Sequence, residues 1–285
     1  MVLAKKGVIK VATCQFAVGA NVHRNGRQIV KQIGQAKNEG ADVVHFPETA
    51  LSGYAGKDYK SWDGFDWGGL VEETERIQQV AKQRKVWLVL GSAHRLTGRN
   101  KPHNSQYVID PKGKIVDRYD KCFCTSGDLK HYSCGDHLST FTVNGVKCGL
   151  LICYDVRFPE LYRAYQKQKV QLMFQSFYNA RKQSANIHTS IMPTTMRARA
   201  ATNYFWVSAN NSSGYYQSWS SFLCQPDGEV VKTLPRHRAG VMVNTVDTNA
   251  GFYDASGPYR DRAMKGVLHS GKPVKDARSR DRKKV

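Results

Sequence analysis

Along this chain, short apolar runs bounded by turn residues alternate with stretches in which apolar side chains recur every three or four positions. The first kind predicts strands and the second amphipathic helices, because side chains alternate faces along a strand and return to one face after about 3.6 residues of helix. Strands are expected over residues 8–15, 42–46, 86–91, 104–109, 115–119, 139–143, 146–153, 170–175, 204–210, 221–225 and 240–246. Helices are expected over 21–39, 71–84, 159–167 and 190–202. Gly40 ends the first helix, and Asn144-Gly145 marks a two-residue hairpin turn, since that pair tolerates positive φ. No internal repeat or linker rich in Pro, Gly or Ser interrupts the alternation. The pattern therefore predicts one α/β domain over 1–250 and a basic extension over 251–285 that is mobile or docked on a partner subunit.

Composition narrows the picture without naming an activity. With 285 residues, 41% of them hydrophobic and 23% charged, the chain can bury a sizeable core. Its apolar runs are strand-sized, far short of the roughly 20 residues of a membrane-spanning helix. Residues 1–7 carry two lysines and lead straight into a strand, with no apolar stretch or small-residue cleavage site, so a cytoplasmic location is expected. Seven scattered cysteines, an odd number, fit reduced thiols in that setting.

The formal net charge of +20 makes nucleic acid a rival partner. From Gly251 onward ten Lys/Arg face four Asp/Glu, a net of +6, which leaves +14 on the body. The excess is thus general, and no basic stretch is interleaved with stacking aromatics. Solvated surface charge is the preferred reading, with a basic nucleic-acid-binding protein as the alternative of another class.

Three residues change the picture more. Cys153 stands where the apolar run Gly149-Leu150-Leu151-Ile152 breaks into a turn before a helix, the geometry that exposes a nucleophile at a strand end with backbone N–H groups beside it. Glu48, after Phe46-Pro47, ends a second apolar strand and can take a thiol proton and pass it to a leaving amine. Lys121 follows the strand at 115–119 and offers a compact positive charge for an oxyanion. Taken singly, each has an ordinary alternative: a core thiol, a capping carboxylate, a solvated lysine. Strand ends, however, are where sites of α/β sheets assemble.

In the order FPETALSGY around Glu48, RYDKCF around Lys121 and GLLICYDVRFPELYR around Cys153, the chain resembles the nitrilase superfamily of carbon–nitrogen hydrolases, from about Val8 to Thr248. Met196-Arg197-Ala198-Arg199-Ala200 with Asn203, and Ser221 with Pro226-Asp227-Gly228, are similar to later family segments. The resemblance implies a four-layer α-β-β-α sandwich, a Glu48-Lys121-Cys153 triad, no cofactor, and homodimers or larger homo-oligomers. It also implies a second carboxylate, for which this chain has Asp128 in place of the usual glutamate. Thr202-Asn203 stands where the family commonly has Glu-Asn, and Ser176-Phe177-Tyr178-Asn179 lacks a small-residue run.

Tyr154-Asp155 after the nucleophile resembles amidase and N-carbamoyl branches, whereas nitrile-cleaving members often have Trp-Glu there. A small amide or carbamoyl substrate is therefore expected, with a nitrile as the alternative. The backbone N–H of Tyr154 is the candidate oxyanion donor, and Arg157 the candidate ligand for a substrate carboxylate, against an ion pair with Glu160 or Asp155. Tyr54, Tyr178, Tyr215 and Trp219 are candidates to shape the pocket. Cys122, Cys124, His131, Cys134 and His137 crowd one segment, but their spacing lacks the paired C-x-x-C of a zinc site, so no metal is expected.

Overall fold

A computed structural model describes residues 5–179 and 186–284. The expected strands and helices form, mostly within two residues of the anticipated bounds. β1 (Val8–Gln15), α1 (Val22–Asn38), β2 (Val43–His45), α2 (Trp67–Arg84), β3 (Trp87–His94), β4 (His103–Ile109) and β5 (Ile115–Asp120) make the first half. β6 (Thr140–Val143), β7 (Val146–Ile152), α3 (Pro159–Lys167), β8 (Leu172–Phe177), α4 (His188–Asn203), β9 (Trp206–Asn211), β10 (Phe222–Cys224), β11 (Val230–Thr233) and β12 (Gly240–Asp247) make the second. Three elements of the sandwich depart further from expectation, the first being β3, which runs on to His94 rather than ending at Gly91. α2 starts four residues early because the Asp66 side chain caps the Gly69 N–H. The strand β11, missed in the sequence, is exposed at every position and so shows no two-residue alternation.

The strands form two six-stranded sheets, ordered β12-β1-β2-β3-β4-β5 and β11-β10-β9-β8-β7-β6. Alternation along the first sheet sets the layers. Val11, Val43 and Val89 face the second sheet and join its Leu150, Phe174 and Val207. Their neighbours Ala12, Val44, Leu88 and Leu90 face the other way, against Ile29 and Ile33 of α1 and Ile77 and Ala81 of α2. On the far side of the second sheet, Met192, Met196 and Ala200 of α4 are buried in the same core as its strands. The result is the expected four-layer α-β-β-α sandwich, in which each buried aliphatic side chain contributes about 1.5–3 kcal/mol.

A polar seam crosses the interface between the sheets. Thr13 Oγ1 lies 2.9 Å from Ser208 Oγ, which lies 2.9 Å from His45 Nδ1. His45 Nε2 lies 2.8 Å from Ser176 Oγ, and that hydroxyl donates to Phe46 O at 2.9 Å. Asn210 Nδ2 donates to the carbonyls of Cys14 (2.9 Å) and His45 (2.6 Å), joining the two sheets directly.

Contacts divide the chain after Tyr253. The short unit from Asp254 onward holds α5 (Gly257–Met264) and α6 (Ala277–Arg280), with Arg260 paired to Asp254. Among the described residues no helix is long and apolar enough to cross a membrane.

Candidate active site

Four strand ends converge on one region. Phe46 N donates to Val89 O after β2, and the chain then turns through Pro47, Glu48 and Thr49, the last at φ +51°. Gly91 of β3 makes room for that turn, because a Cβ there would lie 2.0 Å from Pro47 O. After β5, Lys121 N donates to Asn104 O and Lys121 O accepts from Gly135 N, both at 2.9 Å. β8 delivers Tyr178, whose N–H donates to Glu48 Oε2 at 2.7 Å. β7 delivers Cys153 at φ +47°, the sharp turn expected of a nucleophile elbow.

The turn expected between Cys153 and the helix is a 3-10 turn, Cys153–Arg157, and α3 opens at Pro159. Asp155 ties this turn to the segment around Lys121. Its Oδ2 accepts from Ile152 N (2.9 Å) and Tyr119 Oη (2.8 Å), and its Oδ1 accepts from Phe123 N (2.9 Å). Burial pushes its carboxyl up to about 6.

The centre of the region is a fully buried ammonium. Lys121 Nζ donates to Glu48 Oε1 and to Asp128 Oδ2, each at 2.9 Å. Asn104 Nδ2 also donates to Glu48 Oε1, at 2.8 Å. Asp128 further accepts from Thr125 N at 2.9 Å and from the Tyr54 hydroxyl. Burial alone would discharge Lys121, but Glu48 and its other neighbours outweigh burial and hold the ammonium well above its usual pKa. Burial acts on Asp128 in the opposite direction, upward, and there the charge of Lys121 and the donated hydrogen bonds win, leaving the carboxyl below its usual range.

A cavity of about 340 Å³ opens beside this ammonium, lined by Cys153, Lys121, Asp128, Tyr54 and Tyr178 among others. The structure thus brings together Glu48, Lys121, Asp128, Cys153, Tyr54 and Tyr178. A sulfur nucleophile, a carboxylate and a buried cation meeting at a small cavity can carry out acyl transfer through a thioester.

Other candidates lie elsewhere. The ring of Tyr154 packs edge-on against Phe158, off the lining, while its backbone N–H, the candidate oxyanion donor, directly follows Cys153 in the turn. Arg157, the candidate ligand for a substrate carboxylate, is also off the lining: its guanidinium lies 3.5 Å from His188 Nδ1, and the carboxylate of Asp155, one of its two alternative ion-pair partners, is occupied by three other donors. Tyr215 is 66% exposed, and Trp219 is buried against Phe177. Among the described residues no three of His, Cys, Asp or Glu are grouped to hold a metal. Cys122 Sγ instead lies 3.7 Å from the carbonyls of Asp120 and His137.

Residues that sequence reasoning passed over include Asn104 and Thr125. Asn104 leaves a readable trace, since Asn104-Ser105-Gln106 is an all-polar run inside a wholly buried part of a strand.

The 31% identical "Hydrolase in agr operon" of Staphylococcus lugdunensis aligns over 226 residues, 75% of this chain and 90% of its own. "Omega-amidase NIT2" of Xenopus tropicalis is 30% identical over 237 residues, 78% of this chain and 83% of its own. Among solved structures, a mutant of the amidase from Nesterenkonia sp. AN1, with the acetamide moiety of fluoroacetamide added covalently at its active-site cysteine, superposes with a TM-score of 0.77. That superposition covers 94% of this chain and 99% of the other at 20% identity, a likeness of fold. The sequence profile described as "Carbon-nitrogen hydrolase" matches residues 10–251, nearly the whole α-β-β-α sandwich and every strand end that meets at the cavity, and the chain therefore belongs to the carbon–nitrogen hydrolase family.

Proposed function

We propose that the protein hydrolyses small linear amides, with Cys153 as nucleophile, Glu48 as general base and acid, Lys121 as oxyanion stabiliser, and Asp128 as the carboxylate that positions Lys121. Glu48 takes the thiol proton as the sulfur attacks the carbonyl. The ammonium of Lys121 and the N–H of Tyr154 hold the oxyanion. Protonated Glu48 then gives its proton to the leaving ammonia or amine, leaving a thioester. Water, activated by Glu48, releases the acid and restores the thiol.

The single observation behind this proposal is the buried Lys121 ammonium, held at 2.9 Å by both carboxylates and lining the same cavity as Cys153. Asp128 suits the role despite its shorter side chain, because its Oδ2 reaches Lys121 Nζ at 2.9 Å. The names of the relatives, an omega-amidase and an amidase, agree with an amide substrate.

Ammonia release from a panel of aliphatic amides, N-carbamoyl amino acids and nitriles tests the proposal. The amides should be cleaved, and Cys153→Ala should lose at least about 10⁴-fold in kcat. Equal ammonia release by wild type and variant would remove Cys153 from the mechanism. The proposal also includes assembly into homo-oligomers and a cytoplasmic location, which light scattering of purified protein and cell fractionation test.

A further inference from the structure

The two oxygens of Glu48 are not equivalent. A carboxylate offers about four in-plane acceptor sites, two on each oxygen. Oε1 accepts from Lys121 Nζ at 2.9 Å and from Asn104 Nδ2 at 2.8 Å, whereas Oε2 accepts from Tyr178 N at 2.7 Å. Among the described residues Oε1 is therefore full, and the open site is on Oε2. Tyr178, the partner of Oε2, lines the same cavity as Cys153, while Asn104 is off that lining.

Packing alone does not account for Asn104. Its side chain is fully buried, yet its Oδ1 has no hydrogen-bond partner among the described residues. An unpaired buried amide carbonyl is destabilising, and a leucine of nearly the same size would avoid it. The hydrogen bond that its side chain does make goes to Glu48. Its backbone adds a second tie to the site, since Asn104 O accepts from Lys121 N at 2.9 Å.

We infer that Asn104 is a positioning residue for Glu48: with Lys121 it saturates Oε1 and leaves Oε2 as the oxygen that exchanges the proton with Cys153. The S–H bond breaks as an O–H bond forms on Oε2, and the electron pair left on sulfur attacks the carbonyl carbon. The same proton then passes from Oε2 to the leaving nitrogen. A donor on Oε1 also favours the carboxylate over the carboxylic acid, so Asn104 supports the basic form of Glu48 at the start of each turnover. This inference rests on the roles of Glu48 and Cys153 proposed above and adds a residue to the same site.

The charged and ionisable groups around Glu48 leave a pH test clear. Lys121 is held above its usual pKa and Asp128 below, and burial raises the phenols of Tyr54, Tyr132 and Tyr178, so all five keep one form between about pH 5 and 8. Lys57, Lys130 and His131, which also line the cavity, are common to wild type and variants and cancel in the difference.

Two rates followed against pH make the test: turnover of butyramide, and alkylation of Cys153 by iodoacetamide read by peptide mass spectrometry, which requires no amide hydrolysis. In Asn104→Leu, kcat should fall about ten- to a hundredfold with KM little changed, and the acid limb of both profiles should move up by about one pH unit. Asn104→Asp keeps the shape, but an ionised carboxylate donates nothing, so at about pH 8 it should lose at least as much. Should one variant fail to fold, the other carries the test. An aspartate variant with wild-type kcat and unmoved limbs, as a space-filling role would give, overturns the inference.

Glu48→Gln separates this inference from the reading beneath it. If that variant abolishes the acid limb of alkylation while Asn104→Leu leaves the limb in place, Glu48 stays the base and only the role of Asn104 falls. Identical alkylation profiles in wild type and Glu48→Gln defeat both. Limbs that move with Asn104→Leu in a protein releasing ammonia from no aliphatic amide keep the positioning role and defeat the amide proposal alone.

Discussion

Two polar clusters lie buried in this molecule and solve the same physical problem differently. The seam between the sheets is neutral. Ser176 donates to Phe46 O, so His45 must donate to Ser176 through Nε2, which leaves Nδ1 to accept from Ser208. Burial keeps that imidazole uncharged, lowering it to about 3. The cluster around Lys121 is ionic: one ammonium serves two carboxylates, and a cavity opens beside it.

A neutral chain of hydrogen bonds running from Thr13 to Phe46 O can join the two sheets but has no charge to offer a reaction. The ionic cluster has an excess of negative charge that one mobile proton can settle, which is what a thiol next to a base requires. The seam ends at Phe46 O, two residues before Glu48 in the chain.

Removing the central charge should separate the clusters most sharply. Lys121→Met strands two buried carboxylates, so kcat should fall roughly 10³-fold and stability by about 3–5 kcal/mol, read from turnover and from urea unfolding at pH 8. The stability loss should shrink on acidification, because Asp128 loses the charge of Lys121 that holds its carboxyl low and then takes up a proton more readily.

A smaller change asks how far Asp128 positions the lysine. Asp128→Asn keeps the shape and leaves Glu48 paired with Lys121. An approximately 10²-fold loss confined to kcat, with KM and the urea midpoint little changed, would mark a positioning role. A loss confined to KM would remove it.

The smallest effect is on the seam and appears as a pH dependence. Because folding lowers the pKa of His45 from near 6.5 to about 3, the unfolded chain binds a proton in that interval that the folded one refuses. Stability should therefore fall on acidification below pH 6.5, by up to about 1.4 kcal/mol per pH unit from this group. Asp155, raised to about 6, acts with the opposite sign over part of the same range, since its folded form holds the proton more tightly. The difference between wild type and His45→Gln isolates the histidine: the variant should show the shallower loss between pH 6 and 4. Parallel slopes would mean that the seam tolerates an imidazolium.

Much of the architecture was legible because it is written in short range. The apolar rows of α1 and β1, the Asn144-Gly145 turn (φ +47° and +83°) and the break after Ile152 are all local patterns. Glu48, Lys121 and Cys153 were legible through the three motifs that carry them. Asn104 and the N–H of Tyr178 were not, since their hydrogen bonds to Glu48 span 56 and 130 residues and no local rule pairs them. β11 was missed for the converse reason, because a strand exposed on both faces leaves no alternation to read.

By itself, then, the sequence determined the order of strands and helices, the side of each that is apolar, and the strand ends at which reactive residues stand, because these depend on neighbours a few positions apart. Only the tertiary structure decided that Lys121 sits between two carboxylates, that Asp155 rather than Arg157 braces the elbow, and that Asn104 and Lys121 share one oxygen of Glu48. Those outcomes depend on how two sheets and their loops pack in space, where residues distant in the chain compete for the same few donors and acceptors.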